Sequence, residues 1–206
     1  AGIAVNDAVQ WYYCTEIYKW NVNLKKFTAV KLPKITKEAA AAKAIEKFKE
    51  YKPVSELDQA KYEHYLSTSL PETIQQAFLA LDELGLTRAL NPVAEFPLSQ
   101  TDKRLQKPTE GRVDISFKNV YKAKERSKAV ISPQRVKMIL SVLEIKTSWQ
   151  KPSKVRKDGT RGFASIKIPS FAKINHIRQT AFYTESMKPS KPYLINIWNN
   201  GYKIWN

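Results

Sequence analysis

The sequence predicts a mixed α/β (α+β) fold, a central β-sheet of mixed strands flanked by helices. Three observations lead there. Residues 1–90 read as a succession of helices whose apolar residues recur at helical spacing. From Asn91 onward the texture changes to short apolar runs of strand character bounded by turn residues. The chain then returns to a single helix and closes on two strands joined by Asn199-Asn200-Gly201, a tight-turn sequence. Helices, three strands, a helix and a hairpin require a sheet whose faces are covered by helices. At 206 residues, 43% of them hydrophobic and only 6 of them glycine, the chain can bury a sizeable core and reads as one domain.

The elements follow in order. Ile3–Trp20 has Val5, Val9, Tyr12, Tyr13 and Ile17 recurring near a 3.6 period and is predicted helical. Asn21–Lys34 is a short connection or hairpin ended by Pro33. Thr36 caps an alanine-rich helix over Lys37–Tyr51, with Ala40, Ala44, Phe48 and Tyr51 along one side, and Pro53 stops it. Ser55 caps a third helix to about Ser67, and Pro71 opens a fourth that ends near Gly85. Residues 91–206 form the second part. Val93–Leu98, Arg112–Phe117 and Met138–Lys146 read as strands, Ser170 caps a helix to about Met187, and Tyr193–Trp198 and Tyr202–Trp205 form the closing hairpin. Two stretches, 118–137 and 150–162, are predicted to be basic loops; the first holds Lys122, Lys124, Arg126 and Lys128.

Charge is distributed unevenly. Residues 1–100 hold 12 Lys/Arg and 12 Asp/Glu, whereas residues 101–191 hold 22 Lys/Arg against 7 Asp/Glu, so the net +16 lies almost wholly in the second half. Such an asymmetry points to a polyanion as partner. No apolar run reaches the roughly 18 residues of a membrane span. The N-terminus carries no charged leader with an apolar core, so a cytoplasmic setting is expected. The chain opens on Ala1 in place of Met, as a trimmed chain would. The lone Cys14 cannot form an internal disulfide and reads as a buried small hydrophobe in a reducing compartment. A phosphate-binding glycine loop of the G-x-x-x-x-G-K-[ST] type and a Cys/His zinc cluster are both absent from the sequence. With only two histidines a Ser-His-Asp hydrolase is disfavoured, and His64, between Tyr62 and Tyr65, reads as structural.

The chemistry concentrates at one place. The apolar run Met138–Leu143 ends abruptly in Glu144-Ile145-Lys146. Positions two apart on a strand share a face, so Glu144 and Lys146 point one way and Ile145 the other. Asp114 is the lone acid among Val113, Ile115 and Phe117 on another short strand. Two carboxylates and a lysine at adjacent strand ends can hold a hard divalent cation beside a water, which is the constellation of a metal-dependent phosphodiesterase centre.

This constellation resembles the PD-(D/E)XK nuclease superfamily, whose fold is a restriction-endonuclease-like core. Gly111-Arg112-Val113-Asp114 is similar to the G-R-hydrophobic-D strand of its RecB-type exonuclease branch, and Glu144-Ile145-Lys146-Thr147-Ser148 to that branch's D/E-x-K-T-S ending. Gln179-Thr180-Ala181-Phe182-Tyr183 resembles the Q-x-x-x-Y helix motif, with His176 one turn before it, and Ala94-Glu95-Phe96-Pro97-Leu98 the strand that precedes G-R-x-D. The resemblance spans residues 93–198 and, more weakly, Gly2–Gln10; by pattern it is nearest to phage exonucleases and the mitochondrial genome maintenance exonuclease. Where many members of the branch carry a metal-binding His or Glu on the first helix, this chain has Asn6, with Gln10 one turn later. The 29 residues between Asp114 and Glu144 form a long gap.

The resemblance implies a Mg²⁺- or Mn²⁺-dependent DNA exonuclease acting in DNA degradation, replication or recombination, of phage type. Asp114 and Glu144, with the backbone carbonyl of Ile145, would ligate the metal; Lys146 would position water or stabilise phosphoryl charge, and Gln179 would hold the nucleophilic side. DNA contacts are expected from Tyr183, His176, Arg112, Thr147 and Ser148, and from Lys154, Arg156, Lys157 and Arg161 in the second basic loop. Glu95, Asn6 and Gln10 are candidates for supporting the ligands, with structural pairing the preferred reading for Glu95. On the helix, His176, Gln179 and Tyr183 fall within about 60° of one another, a stripe that could face a bound strand. Phe171, Ile174, Ala181 and Phe182 on the other side would hold the helix down. Two alternatives stay open: a structure-selective endonuclease or junction resolvase on the same core, and a basic DNA-binding protein with a decayed site.

Overall fold

The computed structural model describes residues 1–100, 109–121, 137–159, 161–166, 170–187 and 190–206. Its architecture is the predicted one, a mixed α/β fold with a 7-stranded sheet flanked by helices. The helices are α1 (Gly2–Tyr13), α2 (Lys37–Lys49), α3 (Glu56–His64), α4 (Leu70–Glu83) and α5 (Ile174–Ser186). The strands of the main sheet are β1 (Glu16–Asn21), β2 (Lys26–Lys31), β3 (Val93–Gln100), β4 (Thr109–Tyr121), β5 (Lys137–Thr147), β8 (Ser190–Trp198) and β9 (Gly201–Trp205), in the order β2-β1-β3-β4-β5-β8-β9. β1 runs parallel to β3 and β5 parallel to β8, while the other neighbours are antiparallel. A separate two-stranded hairpin consists of β6 (Pro152–Val155) and β7 (Arg161–Phe163).

Local chemistry accounts for most boundaries. Thr36 and Ser55 cap α2 and α3, their hydroxyls accepting from Ala39 N and Asp58 N, each at 3.2 Å. α4 stops where Gly85 takes φ +75° and Leu86 N reaches back to Leu81 O at 3.0 Å, a glycine-terminated helix end. Pro71 stands in the first turn of α4, where a missing N–H is tolerated. α3 runs into α4 through a π-helical turn, Tyr65–Ser69, whose wider winding accommodates the proline ring and its missing N–H.

Three expectations are corrected. Residues 1–90 are not wholly helical: α1 ends at Tyr13, and Glu16–Asn21 is a strand paired with Lys26–Lys31 and, at Glu16 and Ile17, with β3. Sheet pairing of the Ile-, Tyr- and Trp-containing stretch overrides a helical spacing that Ile17 merely continues. The 150–162 stretch folds as the β6–β7 hairpin instead of a loop. Of the 118–137 stretch, 118–121 and Lys137 belong to β4 and β5, while Lys122, Lys124, Arg126 and Lys128 lie outside the described residues. Among the described residues no helix is long and apolar enough to cross a membrane.

The sheet divides two cores. α1, α2 and α4 cover one face through Val5, Val9, Tyr13, Ala44, Ile74 and Leu81, packed on Ile115, Phe117, Leu143, Ile145, Ile195 and Ile197. The other face carries a much smaller cluster, Leu98, Val113, Val142 and Tyr183, under α5. Cys14 is buried in the large core, and burial pushes its thiol well up from the ordinary range.

Candidate active site

Between the two cores the strand pattern breaks. Residues two apart on a strand should share a face, yet Ala94 belongs to the large core and Phe96 packs with the small one. The neighbouring strand does the same, Ile115 on one side and Val113 on the other. Both switches occur at the same level, because Ala94 pairs with Ile115 and Phe96 with Val113, leaving Glu95 and Asp114 between them unpaired in the ladder. Glu95 takes φ +53°, a left-handed backbone that costs a non-glycine residue about 1 kcal/mol or more. On the other edge of β4, registered pairing with β5 ends at Ile115 and Leu143, one residue short of Asp114 and Glu144. The sheet therefore forks where three acids lie on three adjacent strands.

The fork gives those acids partners that a regular ladder would not. Ile145 N donates to Asp114 Oδ2 at 2.7 Å, so a side chain has replaced a strand carbonyl as acceptor. The N–H and C=O of one strand residue leave from the same edge, so the carbonyl of Ile145 also faces this gap. Glu144 is only 2% exposed and contacts Lys146 through Oε1, the two sharing the face that period-two alternation assigns them. Lys146 itself is a quarter exposed and stands between the carboxylate and solvent. Burial, then the charge of Glu144, pushes the Asp114 carboxyl up to about 8, against the opposing pull of the Ile145 N–H and of Lys146. Burial also raises Glu144, with Lys146 and Gln179 pulling it back and Glu95 adding to the rise. Asp114 as a residue retains some accessible surface.

α1 supplies a third wall. Asn6 Nδ2 donates to Asp114 Oδ1 at 3.4 Å, and one turn later Gln10 Nε2 donates to Glu95 Oε1 at 3.0 Å. Glu95 is paired a second time, with Arg112 Nη1 at 3.3 Å. Arg112 is thus engaged with the acid, though its side chain stays more than half exposed and can still reach outward. At Gly2, at the start of α1, an added Cβ would stand 2.8 Å from Thr147 Oγ1, so the Thr147 side chain would have to move to admit it.

α5 closes the site from the other side, and here an expectation fails. The helix buries Thr180 and Tyr183, while Phe171, Ile174, Ile177 and Ala181 are exposed. Tyr183 lies in the small core at 3% exposure, so it is no open surface for a nucleic-acid strand. The reason is Gly111, whose missing side chain admits the rings of Phe182 and Tyr183, each 3.1 Å from where a Cβ would stand. Buried there, Tyr183 accepts a 2.6 Å hydrogen bond from Gln179 Nε2, and burial pushes its phenol up to about 12. Tyr183 thereby holds Gln179 at the edge of the acidic cluster. His176 is partly exposed, and burial, Lys146 and Lys173 lower its pKa, favouring a neutral ring.

Thr147 and Ser148 leave the site along β5. Thr147 Oγ1 accepts from Trp149 Nε1 at 2.9 Å, and Ser148 Oγ donates to Asn196 Oδ1 at 3.1 Å. Lys154, Arg156, Lys157 and Arg161 are exposed on the β6–β7 hairpin, which begins six positions after Lys146. The hairpin is docked on the C-terminal end of α3: Phe163 stacks on His64 at 3.6 Å and 12°, and His64 shares a 2.6 Å hydrogen bond with Gln150. His64 is therefore structural, as its aromatic neighbours suggested. One residue of the site escaped sequence reasoning. Asn196 stands beside Lys146 in the parallel β5–β8 register, and its signal is a single polar residue within the apolar run Tyr193–Trp198.

Among the described residues, three buried side-chain polar atoms lack a hydrogen-bond partner, and two of them, Asn6 Oδ1 and Glu144 Oε2, belong to this cluster. Buried carboxylate oxygens are ordinarily satisfied. Two desolvated carboxylates beside a strand carbonyl form an all-oxygen set of the kind Mg²⁺ takes with waters completing its shell. The residues fit. No group of three or more His, Cys, Asp or Glu side chains poised around a metal occurs among the described residues, so any ion here would rely on two carboxylates and non-carboxylate oxygens. No protein-family model matches the chain, and neither curated proteins nor solved structures yield a match.

Proposed function

We propose that the chain is a Mg²⁺- or Mn²⁺-dependent deoxyribonuclease that hydrolyses phosphodiester bonds from DNA ends, working in the cytoplasm. The observation that carries this reading is the sheet fork, with desolvated Asp114 and Glu144, an unpartnered Glu144 oxygen and Lys146 at the opening. Asp114, Glu144 and the Ile145 carbonyl would hold the cation. When bound, it would acidify a coordinated water and offset charge on the scissile phosphate.

The chain's own residues do the remaining work. Lys146 is tied to Glu144 yet reaches solvent, so its ammonium can meet the non-bridging phosphoryl oxygens as their negative charge grows in the transition state. The Ile145 N–H keeps Asp114 turned toward the gap despite the cost of burying its charge. Asn6 braces the same carboxylate, and Gln10 with Arg112 fixes Glu95 behind it. Gln179, steadied by Tyr183, would hold the nucleophilic side. The basic excess of residues 101–191 and the hairpin cations would draw the phosphate backbone to the opening.

A digestion series on end-labelled single- and double-stranded DNA, with Mg²⁺ and with EDTA, tests the reading. Degradation should require the metal, and Asp114→Ala or Lys146→Ala should lower it at least 100-fold with the far-ultraviolet circular dichroism unchanged. Undiminished digestion by both variants would refute it. A covalently closed circle cut as fast as its linear form would replace the exonuclease assignment with an endonuclease, and tight binding without cutting would leave a binding protein.

A further inference from the structure

Beside Lys146 lies a second feature that the proposed hydrolysis does not use. Ser148, Lys173, His176 and Asn196 line a cleft of about 150 Å³ whose lip is made by Phe171 and Trp205. Its position is set by register. Asn196 is the cross-strand neighbour of Lys146, and Trp205 pairs with Leu194, the neighbour of Glu144. His176 feels the charge of Lys146, so the cleft and the acidic cluster are adjoining compartments.

The lining has two chemical characters. Phe171 is 84% exposed, a large apolar ring with no fold-stabilising burial of its own, and Trp205 in the same lining has Lys203 Nζ 5.5 Å from its ring centre. Deeper in, the Ser148 hydroxyl, the Asn196 amide and the His176 ring offer donors and acceptors. Aromatic faces at the rim, hydrogen-bonding groups inside and lysines around the edge match one kind of group well: a planar heterocycle attached to an anionic backbone. An uncharged peptide would leave Lys173 and Lys203 without a counter-charge, and the polar groups of the cleft set it apart from the hollow of about 400 Å³ past Phe171 and Trp205, whose lining toward Ile177 and Leu194 is mainly apolar.

We infer that this cleft is a nucleobase subsite, in which Phe171 and Trp205 stack on an unpaired base of the strand whose phosphate lies at Lys146. The inference rests on the nuclease reading for its substrate class, and it adds that the strand reaches the site unpaired. A base held within a duplex has both faces covered by its neighbours and could not enter.

Binding measured in EDTA separates this from the hydrolytic reading, because nothing need be cut. Fluorescence anisotropy is recorded for a labelled thymidine strand of about ten nucleotides and for an abasic strand of equal length. Phe171→Ala and Trp205→Ala should each weaken binding of the thymidine strand about tenfold and leave the abasic strand unchanged, with thermal melting confirming that both variants fold. Equal losses on the two strands, no loss on either, or no binding of the thymidine strand by the parent would overturn the subsite. So would a Phe171→Ala variant that binds normally but loses self-association on sedimentation, which would assign the lip to contact between copies. Digestion of the same strand with Mg²⁺ reports separately on whether the protein is a nuclease.

Discussion

The two faces of the sheet obey opposite rules. Under α1, α2 and α4 the strands alternate regularly where they meet the helices, and aliphatic and aromatic side chains fill the space. Under α5, among the described residues, four buried residues with Phe96, Phe182 and Met187 against them form a core, two carboxylates are desolvated nearby, and several large apolar side chains point to solvent. The first face gains its stability from area removed from water. The site between the two is held up by the first and can therefore tolerate a left-handed glutamate, unpaired ladder positions and orphaned oxygens. Strain and buried charge collect where function is proposed, and the α1 side supplies the free energy that lets them persist.

Substitutions on the two faces sharpen that contrast. The largest effect on stability is expected on the sealed side, where Leu81→Ala, at a fully buried site, should cost about 2–5 kcal/mol in denaturant unfolding. A cost below 1 kcal/mol would show that this face is less closely packed than described. Gly111→Ala should follow at about 1–3 kcal/mol, since its Cβ would press on Phe182 and Tyr183. Because Tyr183 holds Gln179, the same change should also slow Mg²⁺-dependent digestion, and full activity at reduced stability would uncouple the glycine from the site.

Asp114→Asn should act in the opposite direction. The folded-state pKa of Asp114 is raised, so its contribution to stability is fully present below the ordinary carboxylate range and is lost as pH climbs toward about 8. Metal-free Asp114→Asn should therefore melt a few degrees above the parent at pH 8 and level with it near pH 4. Mg²⁺ should stabilise the parent at pH 8 and not the variant. Parallel melting curves across that pH range would remove the buried charge from the account. The smallest change is expected far from both cores: Arg156→Ala with Lys157→Ala should reduce the slope of log affinity against log salt by about 1.4 on single-stranded DNA. An unaltered slope would take the hairpin out of the footprint.

Much of this was readable from residue order because it depends on neighbours in the chain. Period-two alternation puts Glu144 and Lys146 on one face, hydroxyl caps at Thr36 and Ser55 start their helices, and Asn199-Asn200-Gly201 turns the last hairpin. Other features depend on partners distant in sequence, and local spacing could not anticipate them. Glu16–Asn21 became a strand because β2 and β3 were there to pair with it. Tyr183 turned inward, and Phe171 with Ile174 outward, because Gly111 opened a space on β4 for one side of α5. The paired switch of faces at Glu95 and Asp114 exists only when β3 and β4 lie side by side. The sequence by itself determined which residues could carry the chemistry, since composition and spacing are properties of the chain. Tertiary structure alone decided which of them lose their water and meet, because desolvation and register are properties of surfaces brought together from far apart.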